Sequence, residues 1–279
     1  MVRAVHGVLT AFVLALVLAA CGSSPTKPTP PDDGPPPPPP ASPTITSITL
    51  SDTRPEIGDV IQVTAKATPG NSADQLVYDW TATGGVLQGT GATVTWLAPT
   101  IDDTPAEYTI TLKVLEGTGT RQTDASKTTT VRVHDSEDEL GDIAMKFLKN
   151  FANSDVSADV CLQDFSDSCA GKEEERRDIG YNRADYEILD SSLRLEEVDV
   201  HSDRKHADIA VACSFTSKQI ACTKPNSPCM IGSVGTATGT CELTGVYQQD
   251  RWWLCDSHFR GTTPLMMRGF FGSGLVIDK

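Results

Sequence analysis

Tyr108-Thr109-Ile110-Thr111-Leu112-Lys113-Val114 places an apolar side chain at every second position, with Thr or Lys between. Successive side chains of a strand point to opposite faces. The pattern therefore predicts a strand with one face on a core and the other in water. Working outward, Ile45-Thr46-Ser47-Ile48-Thr49-Leu50 and Val60-Ile61-Gln62-Val63-Thr64-Ala65 alternate in the same way. Turn-forming residues separate these runs at Arg54-Pro55, Pro69-Gly70-Asn71, Gly84-Gly85, Gly89 and Gly117. Short strands at such spacing predict a β-sandwich over residues 44–134, a stretch without cysteine.

Three segments carry a family likeness: Leu76-Val77-Tyr78-Asp79-Trp80-Thr81-Ala82-Thr83-Gly84-Gly85, Thr93-Val94-Thr95-Trp96-Leu97-Ala98-Pro99, and Tyr108 to Leu112. Together they resemble the PKD-type bacterial Ig-like domains. The resemblance implies that Trp80 lies in the core on a strand like the third of an Ig fold. It also implies that Tyr108 lies near a tyrosine corner, and that the module serves as a spacer or adhesion unit. Asp102 and Asp103 invite a calcium reading, but a solvated loop accounts for them more simply.

Residues 135–260 change character. Ser136 with Glu139 three places on reads as a capping box. Leu140, Ile143, Ala144, Phe147, Leu148 and Phe151 then form one apolar helical stripe, behind acids that suit a helix N-terminus. Their spacing does not fit a calcium-binding EF-hand loop. An irregular stretch from Asn153 to Cys169 and a charged helical patch from Lys172 to Asp178 follow. Strands are predicted at Tyr186–Val200 and Ala207–Phe215, with a hairpin of Gly239–Tyr247 and Arg251–Phe259 turning at Gln249 and Asp250. That turn puts Leu243, Tyr247, Trp252 and Leu254 on one face, and simple alternation extends the face to Asp256 and His258. It also sends Trp252 and Trp253 to opposite faces.

The predicted fold is thus multidomain: an all-β Ig-like sandwich, then an α+β domain with a helix packed on a curved antiparallel sheet. Helix, hairpins and the closing strand Asp250-Arg251-Trp252-Trp253-Leu254-Cys255-Asp256-Ser257-His258-Phe259 resemble the nuclear-transport-factor-like cone. That superfamily includes ketosteroid-isomerase-like and polyketide-cyclase-like enzymes beside non-catalytic binding modules. A cystatin-like sheet over one helix gives nearly the same pattern.

An enzyme of the cone type needs an acid or base in its mouth. The catalytic candidates are Asp256 and His258, with Tyr181 and Tyr186 behind them. His201 and His206 flank a turn at Ser202-Asp203-Arg204-Lys205 and form half of a metal site, with no third ligand in view. Phosphate-binding glycine loops, Gly-x-Ser-x-Gly and His-Glu-x-x-His are absent from the sequence, and no cofactor is expected. Seven cysteines lie between Cys161 and Cys255, without a CxxC pair. In an exported chain they read as disulfides, with about 105 pairings open in principle. Candidate bridges are Cys161–Cys169, Cys213–Cys241 and Cys222–Cys229, which leave Cys255 over.

The N-terminus sets the address. Arg3, the apolar run Val8–Val17 and the small residues Ala19 and Ala20 form a signal peptide over residues 1–20. Leu18-Ala19-Ala20-Cys21-Gly22 resembles the lipobox of bacterial lipoproteins. The resemblance implies cleavage before Cys21, acylation of its sulfur (and usually of its amine), and a position outside the cytoplasm. With Gly22 rather than Asp after the cysteine, it further implies sorting to the outer membrane. The remainder of residues 21–43 is Pro-rich, including six consecutive prolines at 35–40. Such a segment forms a polyproline-II rod, on the order of 60 Å if extended at ~3.1 Å per residue. Residues 261–279 form a Gly-rich apolar tail, expected to dock back on the last domain.

The net charge of −14 is uneven: residues 44–134 hold ten acids and six bases, residues 135–279 hold 25 acids and 15 bases. This repels phosphate backbones and excludes nucleic acid as a partner. It also leaves membrane attachment to the acyl chains. The expectation is a lipid-anchored envelope protein that displays a non-catalytic binding or assembly domain to a protein partner at the cell surface. A small-molecule enzyme in the distal domain and a purely structural stalk are the alternatives.

Overall fold

The computed structural model describes residues 40–71, 74–226 and 229–264. The expected signal peptide, Cys21, the Pro-rich stretch up to Pro39 and the tail from Leu265 onward lie outside the described residues. Residues from Pro40 onward cluster as one unit.

Two antiparallel sheets form its first part. One has the order β1 (Thr44–Leu50), β2 (Val60–Thr68), β5 (Thr93–Leu97), β4 (Val86–Gln88); the other is β3 (Leu76–Ala82), β6 (Ala106–Glu116), β7 (Thr123–Val133). Alternation explains the packing: Ile61, Val63, Val94 and Trp96 from one sheet meet Ile110, Val131 and Val133 from the other. Trp96 is fully buried, and its indole donates to the Gly84 carbonyl at 2.9 Å. A Cβ on Gly84 would fall 2.3 Å from the Tyr108 ring, so that close approach requires glycine. Trp80 is partly buried against the same core and donates to the Gly91 carbonyl at 2.9 Å.

The second part is a four-stranded antiparallel sheet of order β11-β10-β9-β8, built from β8 (Tyr186–Val200), β9 (His206–Gln219), β10 (Val234–Gln248) and β11 (Arg251–Thr262). Helix α1 (Ser136–Ala152) lies on it through Leu140, Ala144, Phe147 and Leu148, the expected stripe, with Ile143 and Phe151 partly buried beside them. Short α2 (Ala158–Cys161) and longer α3 (Gly171–Asp185) follow. The β10–β11 turn falls at Gln249 and Asp250, with φ of 53° and 61°, the left-handed pair of a type I′ hairpin.

The N-cap of α1 differs from the capping-box expectation by one residue. Asp135 is the cap and accepts from the Asp138 amide at 3.2 Å, while Glu139 reaches back to the Asp135 amide at 3.3 Å. Ser136 is drawn elsewhere: its hydroxyl donates to Glu56 at 2.7 Å and accepts from Arg54 at 2.5 Å.

Those bonds belong to a joint between the two parts. The Arg54 guanidinium lies 3.7 Å from the Tyr247 ring centroid and 5.3 Å from that of Trp252, and donates to the Arg204 carbonyl at 3.1 Å. Arg204 in turn pairs with Asp52 at 3.1 Å and Asp59 at 2.9 Å, and Arg132 pairs with Asp250 at 2.6 Å. Where β7 ends, His134 is 1% exposed, lies edge-on to Tyr247, and bonds to Glu139 through Nδ1 at 3.0 Å. Charge-assisted bonds of this kind are roughly twice as strong as neutral ones, and stacked, partly buried cations add to them.

The registers give the unit two poles. β1 pairs Thr44 with Thr68 and Leu50 with Val63, so the chain enters at the end of the sandwich away from Asp52 and Arg54. β9 starts beside the joint and runs 14 residues, or ~46 Å at 3.3 Å per residue, to the opposite pole at Gln219.

Candidate functional site

The β10–β11 register decides where the catalytic candidates point. Thr244 faces Asp256 but the next residue, Gly245, faces Leu254, so Cys255 is an extra residue in β11. Such a bulge shifts the alternation by one, and every side chain beyond it changes face. Trp252 and Leu254 point into the core as expected. Beyond the bulge, Ser257 and Phe259 point inward, while Asp256 and His258 point out. The expectation that Asp256 and His258 share the face of Trp252 is therefore corrected. They bond to each other at 3.1 Å with side chains 41% and 48% exposed, on the outer face.

The residue that takes the inner position is Ser257, and it meets a group concealed in the charged patch. Its hydroxyl donates to Glu175 of α3 at 2.5 Å. Glu175, Ile179 and Asn182 are spaced at helical intervals on the face of α3 turned to the sheet; Ile179 and Asn182 are buried. Burial pushes the Glu175 carboxyl up to about 7, opposed by the bond from Ser257 and reinforced by the charges of Asp256 and Asp178. Asn182 Oδ1, on the same face of α3, is buried without a hydrogen-bond partner among the described residues. A carboxyl poised near neutrality can exchange a proton with a bound molecule. Among the described residues, no His or Lys bonds to the pair to activate Ser257 as a nucleophile.

A disulfide holds this arrangement. Phe165 bridges in parallel to Leu254, and the Ser166 amide donates to the Leu254 carbonyl at 2.8 Å. The loop after α2 is thus pinned along β11, and Cys169 bonds to Cys255 in the bulge, 86 residues away. The Cys161–Cys169 candidate is corrected accordingly. Cys161 is a free, buried thiol, pushed up by burial and partly offset by Arg183, which donates to its sulfur at 3.0 Å. Cys213 is bonded to Cys241 and Cys222 to Cys229.

His201 and His206 do not converge on a shared ligand. His201 Nε2 bonds to Asp208 at 3.0 Å, which raises its pKa, and His206 Nδ1 bonds to Asp203 at 2.7 Å. Among the described residues no group of three His, Cys, Asp or Glu side chains could hold a metal ion. Tyr186 is buried, and the Tyr181 ring lies 5.8 Å from the Lys224 ammonium. Trp253 faces outward under the Arg251 guanidinium at 4.0 Å. Arg251 also bonds to Asp164, as does Lys146, each at 2.7 Å; burial alone would raise the Asp164 carboxyl, and these bonds hold it below its ordinary range.

No protein-family model and no curated protein matches the chain. Among solved structures, it is similar to the intermembrane space region of the chloroplast protein ARC6, at 14% identity and a TM-score of 0.34, covering 46% of this chain and 98% of that one. It is also similar to a proposed aromatic ring hydroxylase from Novosphingobium aromaticivorans, at 11% identity and a TM-score of 0.32, covering 44% of this chain and 90% of that one. At these scores the likeness carries no inference about function.

Proposed function

We propose that this chain is a lipid-anchored protein of the bacterial cell envelope, held at Cys21, that displays its distal α+β domain as a non-catalytic binding or assembly module. The sandwich, which resembles PKD-type Ig-like domains, is then the stalk, and the Pro-rich segment is the spacer below it. The observation that carries this reading is the joint around Arg54. It fixes the distal domain to the sandwich, with the chain entering at the far pole of the sandwich. A stalk must hold its load in a fixed direction, and a joint of several partly buried arginine bonds does that. Disulfides fit an extracytoplasmic domain, and among the described residues no helix is long and apolar enough to cross a membrane. Two or more acyl chains anchor a protein stably where one does not.

The Glu175–Ser257 pair supports the alternative, a small-molecule site in the distal domain, because it supplies a largely buried, titratable carboxyl bonded to a hydroxyl. Cys21→Ser separates the anchor from the rest. The wild-type product is expected in the membrane fraction with the mass of a lipidated mature chain, and the variant in the soluble fraction without it. An unchanged fraction and mass would end the anchored reading.

A further inference from the structure

From Ile209 to Cys241 the chain has no carboxylate, 33 residues in a protein that carries 37 acids. The middle of this stretch is the far pole of the distal domain, and there apolar side chains stand in water. Ile220 and Met230 are each 46% exposed, Val234 56% and Ile231 66%. Exposed apolar residues on a flexible loop would need no explanation. These are held in place by a disulfide and by bonds to two buried side chains.

Cys222 is bonded to Cys229 across the loop. Asp185, almost fully buried, accepts from the Thr223 amide at 2.6 Å and the Lys224 amide at 3.0 Å, and its carbonyl accepts from Ile220 and Ala221. Burial alone would raise the Asp185 carboxyl, but the bonds from Lys224 and Thr223 hold it below its ordinary value. Gln219, also buried, accepts from the Met230 amide at 2.7 Å, and its carbonyl accepts from Gly232 at 2.7 Å. Preorganisation of this kind lowers the entropy lost when a surface docks.

We infer that this knuckle is a docking element that inserts Ile220, Met230, Ile231 and Val234 into the surface of a lipid bilayer. Area argues for a bilayer over a protein. The four side chains expose on the order of 400 Å², about half of the ~800 Å² per partner that a specific protein interface buries. A few apolar side chains suffice for interfacial insertion, which scales with the apolar area buried. Charge permits the approach. Among the described residues, the charged groups near this pole include Lys218, opposite Glu187 in the register; Asp190, opposite Thr216; Lys224, ion-paired with Asp178 at 3.0 Å; and Asp185, spent on amides. Both cations there have a carboxylate neighbour and Asp185 is turned onto amides, so little charge is left to repel a surface. The carboxylates lining the groove of Asp135, Glu137, Asp138, Glu196 and Glu197 lie near the other end of the sheet. That is several times the Debye length of ~8 Å at physiological ionic strength. This contact is separate from the acyl anchor and does not depend on it.

The test uses residues 40–279, the self-contained unit, and vesicles of equal parts phosphatidylcholine and phosphatidylglycerol in a flotation assay. The wild-type unit is expected to float with the vesicles, with little change between low and moderate salt. Ile231→Asp should lower its partition by about tenfold or more, and Ile220→Asp with Ile231→Asp should abolish it. Both substitutions are on exposed side chains, and unchanged melting temperatures will show that the fold is kept. Failure of the wild-type unit to float, or equal flotation of the variants, would overturn the inference. So would a vesicle-independent self-association of the wild type that Ile231→Asp removes, because the knuckle would then be a protein contact.

Discussion

The sandwich and the distal domain hold their cores by different means. The sandwich contains no cysteine and relies on alternating faces closed over Trp96, whereas the distal domain ties its sheet, its α3 approach and its pole with three disulfides. The sandwich strands shift register between Ile45 and Ser47 of β1 and otherwise keep their alternation, which leaves each strand one acceptable register without a staple. A sheet with bulges at Ile188/Asp190, Leu195/Glu197 and Cys255 has alternatives to exclude, and covalent ties exclude them.

The contrast can be broken at its strongest points first. Trp96→Ala should cost roughly 3–5 kcal/mol, from lost burial and the cavity left behind. In a denaturant titration with domain-specific probes, the sandwich should unfold first, and reductant should not alter that transition. Removing the Cys169–Cys255 tie as Cys169→Ser with Cys255→Ser should cost about 2–4 kcal/mol. That loss should appear in the distal transition alone. If the sandwich transition moved as far as the distal one, the two cores would be melting as one and the contrast would be lost.

Glu175 sharpens the comparison through pH. Its folded pKa of about 7 lies above the ordinary 4.5, so the folded state holds a proton that the unfolded state releases between these values. Distal-domain stability should therefore be highest below pH 4.5 as far as this group is concerned, and should fall as pH rises toward 7. The full shift corresponds to about 3 kcal/mol, and partial solvent access reduces this to about 2 kcal/mol. Glu175→Gln should leave the melting temperature at pH 5 nearly unchanged and raise it at pH 8. A variant that is destabilised at both would show that the carboxylate is needed charged. Smaller still is Asp135→Ala, which removes the cap of α1 and should cost about 1 kcal/mol by chemical denaturation.

The sandwich strands were legible because alternation is a local signal. Ile61, Val63, Ile110 and Leu112 face inward where period two puts them, and Leu140 through Phe151 line α1 where the helical period puts them. The type I′ turn at Gln249 and Asp250 was legible from the flanking strands, though neither residue is glycine. What the sequence concealed is non-local. One extra residue at Cys255 reverses Asp256 and His258, and nothing in Leu254-Cys255-Asp256 marks it. Cys169 finds a partner 86 residues on because the Phe165–Leu254 bridge carries it there, a contact no spacing rule supplies. Glu175 sits among Lys172 to Asp178, which reads as a solvated helical face until α3 is laid on β11. Arg54 lies in a turn where an arginine attracts no notice, yet it touches Tyr247, Trp252, Ser136 and Arg204.

The account depends most on that joint, since a stalk with a loose hinge could not hold its distal domain in one direction. Spin labels at Thr95→Cys in the sandwich and Ser192→Cys in the distal sheet would report the distance between the two parts directly. A single narrow distance distribution is expected, broadening when Arg54→Ala is added. A broad or two-peaked distribution with Arg54 in place would contradict the account.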